Sequence, residues 1–278
     1  MNILGIDFED WFHPELIQKT LTKSEKKDPK IVYGIDKILD WLRKNDTLAT
    51  FFVVGELLEF KPELLDKIIE NGHEIAFHTM RHTRLVADYR NSFDAEIKKF
   101  AELTSKKSKG FRAPTFSLDY STSWAIDVLE ENGYVYDSSI VPAKTRLYGI
   151  VDADTKPYKI SANKIEQNDP SAKVIEFPLM ITKFLGKKMP AGGGFYLRFL
   201  PLRTIENALK RYELENKPAT FYIHSWELTP EYMPRISLPF SDKFITYHNL
   251  HKAMPKMDRL IKKFKFTSFE RYIDDYKN

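Results

Sequence analysis

Apolar residues in this chain occur in short runs that alternate with longer stretches of helical periodicity. The first run, Ile3-Leu4-Gly5-Ile6, precedes a helical pattern over residues 31–44, and a β-rich run follows at 47–54. The same alternation continues towards the C-terminus. The further elements that it predicts are a helix at 63–70, a strand at 73–77, a helix at 123–131, strands at 134–136 and 174–177, a helix at 202–215, a strand at 219–223, a helix at 249–264 and a short strand at 266–269.

This order of elements is typical of a parallel sheet built from right-handed β–α–β crossovers. The number of units in 278 residues favours a distorted or incomplete (β/α) barrel with outer helices over an open doubly wound sheet. Gly192-Gly193-Gly194 lacks the spacing of a dinucleotide or Walker loop. We therefore expect one α/β domain over residues 1–278, with an excursion over the barrel mouth at about 141–200, where Pro, Gly and charged residues separate short apolar runs.

Side chains that could act in catalysis or metal binding lie at the ends of the predicted strands. They are Asp7-Phe8-Glu9-Asp10, His78, His82, Arg112, Asp137 and His224. In parallel barrels the C-terminal ends of the strands meet on one face, which is where active sites lie. A chance distribution would place such residues at both ends of the sheet, so their convergence predicts a single active site.

The histidine pair His78 and His82 leaves a predicted strand four residues apart, so the two imidazoles can turn towards one point. Imidazole is a preferred ligand of zinc and its neighbours in the transition series. A carboxylate from the acidic cluster at residues 7–10 would give three ligands and an open position, which is the arrangement of a catalytic metal.

Composition narrows the classes of function. The chain has no cysteine, which excludes disulfides and thiolate metal sites, and its net charge of +4 indicates no nucleic-acid surface. No apolar run approaches the length of a membrane span. Because the sequence opens almost directly on a strand pattern, without the regions of a signal peptide, we expect a cytoplasmic protein.

Five segments stand in the order of the motifs of a known family: residues 7–10, 49–55, 72–82, 111–114 and 223–226. They resemble the polysaccharide deacetylases, the NodB-homology enzymes of carbohydrate esterase family 4. Residues 137–140 and 192–201, the start Asp7-Phe8-Glu9-Asp10-Trp11-Phe12 and the later His224-Ser225-Trp226-Glu227 resemble a branch associated with bacterial exopolysaccharide and exosortase loci. The resemblance implies a distorted (β/α) barrel that removes acetyl from N- or O-acetylated sugars with one divalent ion, zinc being favoured.

One departure concerns the acidic metal ligand. Most of the family begins with two adjacent Asp residues, a base and then a ligand, whereas here Phe8-Glu9 separates Asp7 from Asp10. Strand alternation puts Glu9 on the same side as Asp7. A bend at the strand exit would instead present Asp10, whose shorter side chain suits a tight site. We slightly favour Asp10 as the ligand and keep Glu9 as the alternative.

The resemblance also implies roles for other residues. Asp7 takes the position of the general base, oriented by Arg112, and the backbone N–H of Thr115 would face the oxyanion. His224 would protonate the leaving amine. Trp226 and Asp137 are the predicted substrate-binding residues, Trp226 as a sugar-facing wall together with Trp11, and Asp137 through a hydrogen bond to His224 or support of Arg112. Packing in the core is the alternative for both tryptophans.

The sequence leaves three functions open. The first is metal-dependent deacetylation of an N-acetylated amino sugar, with an N-acetylated carbohydrate as the partner. The second is hydrolysis of a cyclic amide or of a non-sugar N-acyl bond, which the altered first motif keeps open. The third is a carbohydrate-binding pseudoenzyme, although the presence of Asp7, His78, His82, Arg112 and His224 argues against it.

Overall fold

The computed structural model describes residues 1–22, 27–105 and 108–277. The strands in these ranges are β1 (Asn2–Phe8), β2 (Thr50–Val53), β3 (Glu74–Phe77), β4 (Gly110–Phe111), β5 (Tyr136–Asp137), β6 (Tyr158–Lys159), β7 (Ile175–Glu176), β8 (Ile181–Phe184), β9 (Lys187–Pro190), β10 (Thr220–His224) and β11 (Phe266–Thr267). The α-helices are α1 (Glu15–Gln18), α2 (Ile35–Lys44), α3 (Gly55–Phe60), α4 (Glu63–Glu70), α5 (Arg90–Leu103), α6 (Trp124–Glu131), α7 (Gly194–Phe199), α8 (Leu202–Leu214), α9 (Ser225–Leu228), α10 (Phe240–Tyr247), α11 (Ala253–Ile261) and α12 (Phe269–Lys277). Short 3-10 helices lie at Ile31–Gly34, Pro114–Phe116, Pro230–Tyr232 and Leu250–Lys252.

One curled sheet organises these elements. Its strands follow the order β10-β1-β2-β3-β4-β5-β7-β6, and β11 also pairs with β1. Every pair in this sheet is parallel except β6–β7. The sheet forms a half-barrel with outer helices, which confirms the expected distorted (β/α) barrel.

The central strand β1 shows why this sequence folds into a covered sheet. All seven of its residues are buried, as expected for a parallel strand with helices on one face and barrel interior on the other. The main core contains Leu4 and Ile6 together with Ile38 and Leu42 of α2. One face of β1 therefore packs against the apolar helix layer, and the residues of the other face point into the barrel interior.

The predicted boundaries hold best for strongly patterned elements. Helix α4 matches its predicted range 63–70, whereas the pattern at 31–44 begins with a 3-10 turn and becomes α-helical only at Ile35. Helix α5 was not predicted, because only Phe93, Ile97 and Phe100 of its fourteen residues form the buried face. None of the helices in the described ranges is long and apolar enough to span a membrane.

Residues 141–200 supply two antiparallel features that the alternation did not predict. Strand β6 pairs with β7 in the main sheet, and β8 forms a separate hairpin with β9. Leu185 and Gly186 at the hairpin tip have φ values of 48° and 76°, which is the left-handed geometry of a tight two-residue turn. Beyond the hairpin, Gly193 forms a β-bridge to Tyr222 of β10. The segment therefore returns to the edge of the sheet that β10 forms.

We predict that Gly193→Ala lowers the free energy of unfolding and loosens the segment over β10. Gly193 has φ 123°, and a Cβ atom there would lie 1.6 Å from the carbonyl oxygen of Tyr222, so the backbone must move in addition to the cost of about 1–3 kcal/mol for an unfavourable φ. Chemical denaturation measures the loss. Gly186→Ala is the control: Gly186 also has positive φ but has open space around it, and an equal loss in both variants would contradict the steric argument.

Candidate metal centre and active site

Three buried ligand-type side chains meet where β1 and β3 end. One ligand atom from each of Glu9, His78 and His82 lies within 4.8 Å of the others. The Oε2 atom of Glu9 lies 2.9 Å from Nε2 of His82, and the rings of His78 and His82 are 4.9 Å apart. The structure therefore brings together two imidazoles and one carboxylate, which form a buried triad consistent with a divalent metal site.

Neighbouring backbone and side chains hold each member of the triad. The carbonyl oxygen of Arg112 lies 2.7 Å from Nδ1 of His78, so Nδ1 carries the proton and Nε2 is left as the ligand atom. The indole Nε1 of Trp226 donates to Oε1 of Glu9 over 2.8 Å. His82 has φ 54°, a backbone conformation that is uncommon for residues other than glycine and that is kept where the surrounding structure enforces it.

The electrostatic state of the triad fits a divalent cation. Burial opposes ionisation of Glu9, but its electrostatic interaction and hydrogen bond with His82 outweigh burial and lower the pKa of Glu9. Burial lowers the pKa of His78 to about 4, which keeps this imidazole neutral and able to ligate. Oε2 of Glu9 and Nδ1 of His82 are buried without a hydrogen-bond partner. The unpartnered oxygen of Glu9 lies 2.9 Å from Nε2 of His82, and a cation held by these two atoms would satisfy that oxygen.

Asp10 lies elsewhere, and the preference for it as the third ligand is corrected. Its carboxylate accepts hydrogen bonds from the backbone N–H groups of Lys30, Ile31 and Val32, and Oδ1 also accepts from the N–H of Trp11. The donors at residues 30–32 belong to the segment that leads into α2. Asp10 therefore anchors that segment, and Glu9 is the carboxylate beside the imidazoles.

Asp7 and Arg112 form a buried ion pair next to the triad. Nη1 of Arg112 donates to Oδ1 of Asp7 over 2.6 Å, while its Nε and Nη2 donate to the backbone oxygen and hydroxyl of Ser138. The guanidinium also lies 4.0 Å from the ring centroid of Phe52. This arrangement occupies one carboxylate oxygen of Asp7 and leaves Oδ2 for chemistry.

His224 stands on the other side of Glu9 and is oriented by a carboxylate that sequence reasoning had not assigned. Asp7 and His224 are register partners on β1 and β10, and Nε2 of His224 is 3.7 Å from Oε1 of Glu9. Its Nδ1 is 2.7 Å from Oε2 of Glu227, and the other oxygen of Glu227 accepts from buried Arg198 over 2.5 Å.

The charges around His224 favour its protonated form. Burial by itself disfavours the imidazolium, but the negative charge of Glu227 and its hydrogen bond outweigh that effect and raise the pKa of His224. The available sequence signal for Glu227 was its spacing, because a Glu three residues after an N-cap residue reaches back to the cap. Arg198 carried no comparable local signal.

The three residues Trp226, Trp11 and Asp137, which were expected near the substrate, have different environments in the structure. Trp226 is buried and stacks on His224 with ring centroids 4.6 Å apart, so it supports the site as well as bordering it. The indole Nε1 of Trp11 donates to the carbonyl oxygen of Asp28, away from the triad. Asp137 is fully buried, does not line the cleft and contacts Ser139. The expected hydrogen bond to His224 and contact with the substrate are therefore corrected, whereas the expected support of Arg112 stays a prediction.

Thr115 lies in a strained turn at the edge of the site. Thr115 and Phe116 have φ values of 54° and 49°, a left-handed conformation that costs about 1–3 kcal/mol per residue in non-glycine positions. Backbone strain of this kind concentrates at functional sites. The turn directs Thr115 to the same cleft as the triad.

A cleft of about 130 Å³ joins these groups. Asp7, Glu9, His78, His82, Thr115 and His224 line one part of it, and its apolar wall is formed by Phe116, Leu147, Tyr148, Phe195, Tyr222 and Trp226. Leu147, Tyr148 and Phe195 come from the segment 141–200. A second cavity, of about 310 Å³, is lined by residues such as Tyr158 and Tyr272 and by none of the site residues, so the smaller cleft is the candidate active site.

Two family models match this chain. Residues 31–136 match the polysaccharide deacetylase family, and residues 138–274 match a domain of unknown function, DUF3473. The boundary falls at β5, which pairs with β4 on one side and with β7 on the other. Both matched regions therefore contribute strands to the same sheet.

Similar proteins support the first match. The peptidoglycan deacetylase-like protein FGM2 of Gibberella zeae is 31% identical over 140 residues, which cover 47% of this chain and 40% of that protein. The chain spans less than half of the length of this and other curated relatives.

Solved structures share the fold at low sequence identity. A Mycobacterium smegmatis protein provisionally assigned as a polysaccharide deacetylase superposes with a TM-score of 0.58 at 16% identity, covering 99% of this chain and 90% of that one. The Puue allantoinase superposes with a TM-score of 0.55 at 15% identity, covering 98% and 88%. These likenesses establish the half-barrel fold.

We predict that Glu9→Gln abolishes stoichiometric binding of a divalent ion, whereas Asp10→Asn retains it. Glu9 supplies the carboxylate of the triad, while Asp10 accepts backbone N–H groups, so its loss lowers the free energy of unfolding by about 1–3 kcal/mol. Elemental analysis after dialysis against zinc, with thermal denaturation, measures both. Full metal occupancy in the double variant His78→Ala/His82→Ala would contradict the assignment of the centre.

Proposed function

We propose that the protein removes acetyl groups from an N-acetylated amino sugar by metal-dependent hydrolysis, because residues 31–136 match the polysaccharide deacetylase family. One observation carries the proposal: Asp7, the triad and His224 line one cleft. Arg112 pairs with Asp7 and Glu227 with His224. Amide hydrolysis needs a base, an electrophilic centre and an acid, and these three groups correspond to those needs.

The triad is the proposed metal centre. Glu9, His78 and His82 would hold one divalent ion, with zinc as the first candidate because it favours imidazole and carboxylate ligands. Such an ion supplies a Lewis acid that polarises an acyl carbonyl and lowers the pKa of water. Trp226 and the carbonyl oxygen of Arg112 keep the ligand atoms oriented.

Asp7 is the proposed general base. Arg112 fixes Oδ1, so Oδ2 can accept the proton of the water molecule that attacks the acetyl carbonyl. The attack converts the planar carbonyl into a tetrahedral oxyanion. The backbone N–H of Thr115, at the strained turn in the cleft, is the proposed hydrogen-bond donor to that oxyanion.

His224 is the proposed general acid. The leaving nitrogen is too basic to depart as an anion, so it must gain a proton as the C–N bond breaks. Nε2 of His224 is available because Nδ1 is engaged by Glu227, and the raised pKa of His224 favours the protonated imidazole that a general acid needs. The products are acetate and the free amine.

The size of the cleft suits a substrate in which a small acyl group is attached to a larger part that stays exposed to solvent. Its volume of about 130 Å³ suits one acetyl group and part of one ring, and the remainder of the substrate would extend from the mouth. We propose that the segment 141–200 caps this mouth with Tyr148 and Phe195, and that the substrate is an amino sugar of an exopolysaccharide or of its precursor. Cytoplasmic localisation stays a prediction.

Acetate release tests this function against the alternative of cyclic-amide hydrolysis. The metal-loaded protein is incubated with N-acetylglucosamine oligomers and monomers, and in parallel with hydantoin-type cyclic amides. We expect acetate and a new primary amine in equal amounts from a sugar substrate. Ring opening without acetate release would favour the alternative, and sugar binding without either product would favour a pseudoenzyme.

We predict that Asp7→Asn retains the metal and the fold but lowers kcat by about 10²–10⁴-fold, the usual contribution of a general base. The neutral amide can still accept a hydrogen bond from Arg112 but cannot take a proton. Metal content and kcat are measured on the same preparation. A parallel fall in metal content would make Asp7 a ligand and would require another base.

We predict that Glu227→Gln moves the basic limb of the pH–rate profile to lower pH. The charge of Glu227 opposes the effect of burial and raises the pKa of His224, so activity that needs the imidazolium is present at low pH and is lost as the pH rises through this pKa. Removing the charge lowers the pKa and starts the loss earlier. The control Glu227→Asp keeps the charge, and an identical shift in both variants would contradict the electrostatic cause.

A further inference from the structure

Two buried carboxyl groups lie behind the site, and the proposed chemistry does not use them. Asp137 ends β5 and Glu176 ends β7, and they are register partners in neighbouring parallel strands. Both residues have 0% exposed surface. An ionised carboxylate in such a place is stable only when it is well paired, so the partners of each oxygen decide the state of the pair.

Each carboxyl group has one satisfied and one unsatisfied oxygen. Oδ1 of Asp137 accepts from the hydroxyl of Ser139 over 2.6 Å, and Oε1 of Glu176 accepts from the N–H of Ile140 over 2.9 Å. Oδ2 of Asp137 and Oε2 of Glu176 have no N–H or O–H donor, yet the two side chains are within hydrogen-bonding reach of each other. Two acceptors in this arrangement are satisfied only when one of them carries a proton.

The residues that follow Asp137 connect this pair to the site. Ser138 accepts both Nε and Nη2 of Arg112. Ser139 accepts the backbone N–H of Ala113 over 2.8 Å while its own hydroxyl donates to Asp137. The chain of contacts therefore runs from the carboxyl pair through two serines to the segment 112–116.

We propose that Asp137 and Glu176 share a single proton and act together as positioning residues for Arg112 and for the turn at Pro114–Phe116. In this state the pair carries one negative charge, which interacts favourably with the buried guanidinium of Arg112. The hydroxyl of Ser139 is directed towards Asp137, so its lone pairs are fixed towards the N–H of Ala113. That contact holds the start of the strained turn that contains Thr115.

Burial and mutual repulsion support the one-proton state. Burial raises the pKa of Glu176 well above its ordinary value, and the adjacent Asp137 raises it further. Burial also raises the pKa of Asp137, against the effects of its hydrogen bonds and of Arg112. Like charges at this separation cannot both ionise, and the pair titrates as a unit.

A double-mutant cycle with amide side chains tests the shared proton. In Glu176→Gln or Asp137→Asn, the new amide can replace the protonated carboxyl as donor to the remaining carboxylate. We expect each single variant to keep kcat within about threefold of the wild type. The double variant loses the negative charge, and we expect kcat to fall about 10–100-fold, as for outer residues that orient a metal site, with KM and metal content unchanged.

Infrared spectroscopy gives a readout that does not depend on activity. The difference spectrum of wild type minus Glu176→Gln at neutral pH should contain the C=O stretch of one buried protonated carboxyl. Glu74→Gln is the matched control, because burial also raises the pKa of Glu74, to about 7, but Glu74 begins β3 at the opposite end of the strands. It should leave the band of the pair and the pH–rate profile unchanged.

Two outcomes would overturn the proposal. The first is the absence of a protonated-carboxyl band in the difference spectra of both single variants. The second is an additive cycle, in which the loss in the double variant equals the sum of the single losses, because a shared proton requires strong coupling. The positioning role rests on the proposed function, whereas the infrared band and a cycle measured on unfolding free energy remain decisive for the shared proton if no substrate releases acetate.

Discussion

The buried guanidinium of Arg112 is the constraint on which the site depends. A charge with no exposure to water must be compensated within the protein, and here Asp7, Ser138 and the face of Phe52 do so. The room for it exists because residue 5 has no side chain: a Cβ atom on Gly5 would lie 2.7 Å from Nη1 of Arg112. The backbone oxygen of the same arginine orients His78, so one residue links Asp7 to the triad.

The sequence could predict those parts of the site that follow from strand direction. His78, Arg112 and His224 each lie just past an apolar strand, and parallel strands deliver their exits to one face. The register of β1 with β10 then sets Asp7 beside His224. The half-barrel itself followed from the alternation of strands and helices, since long periodic segments such as α4 carry their own signal.

The remaining parts depend on contacts that local sequence does not contain. The choice between Glu9 and Asp10 is decided by the backbone N–H groups of residues 30–32, which capture Asp10. Arg198 reaches Glu227 from a helix 29 positions earlier. The pairing of Asp137 with Glu176 requires the register of two strands of only two residues each. Strand alternation did indicate Glu9, because it shares a side with Asp7.

The closure of the site by β10 has a consequence for the order in which the chain folds. Trp226 and Glu9 are 217 positions apart and yet share a hydrogen bond, and β1 is flanked by β2 on one side and by β10 on the other. Contacts between such distant positions carry a large loop-closure entropy and form late. During synthesis, β1 can pair with β2, and β2 with β3, well before β10 leaves the ribosome, so a nascent chain would hold Glu9, His78 and His82 beside an open edge of β1 without His224 and Trp226. Completion of the site is thereby tied to the synthesis of β10, and the unpaired edge of β1 is the point at which an incomplete chain is most exposed to association with other chains.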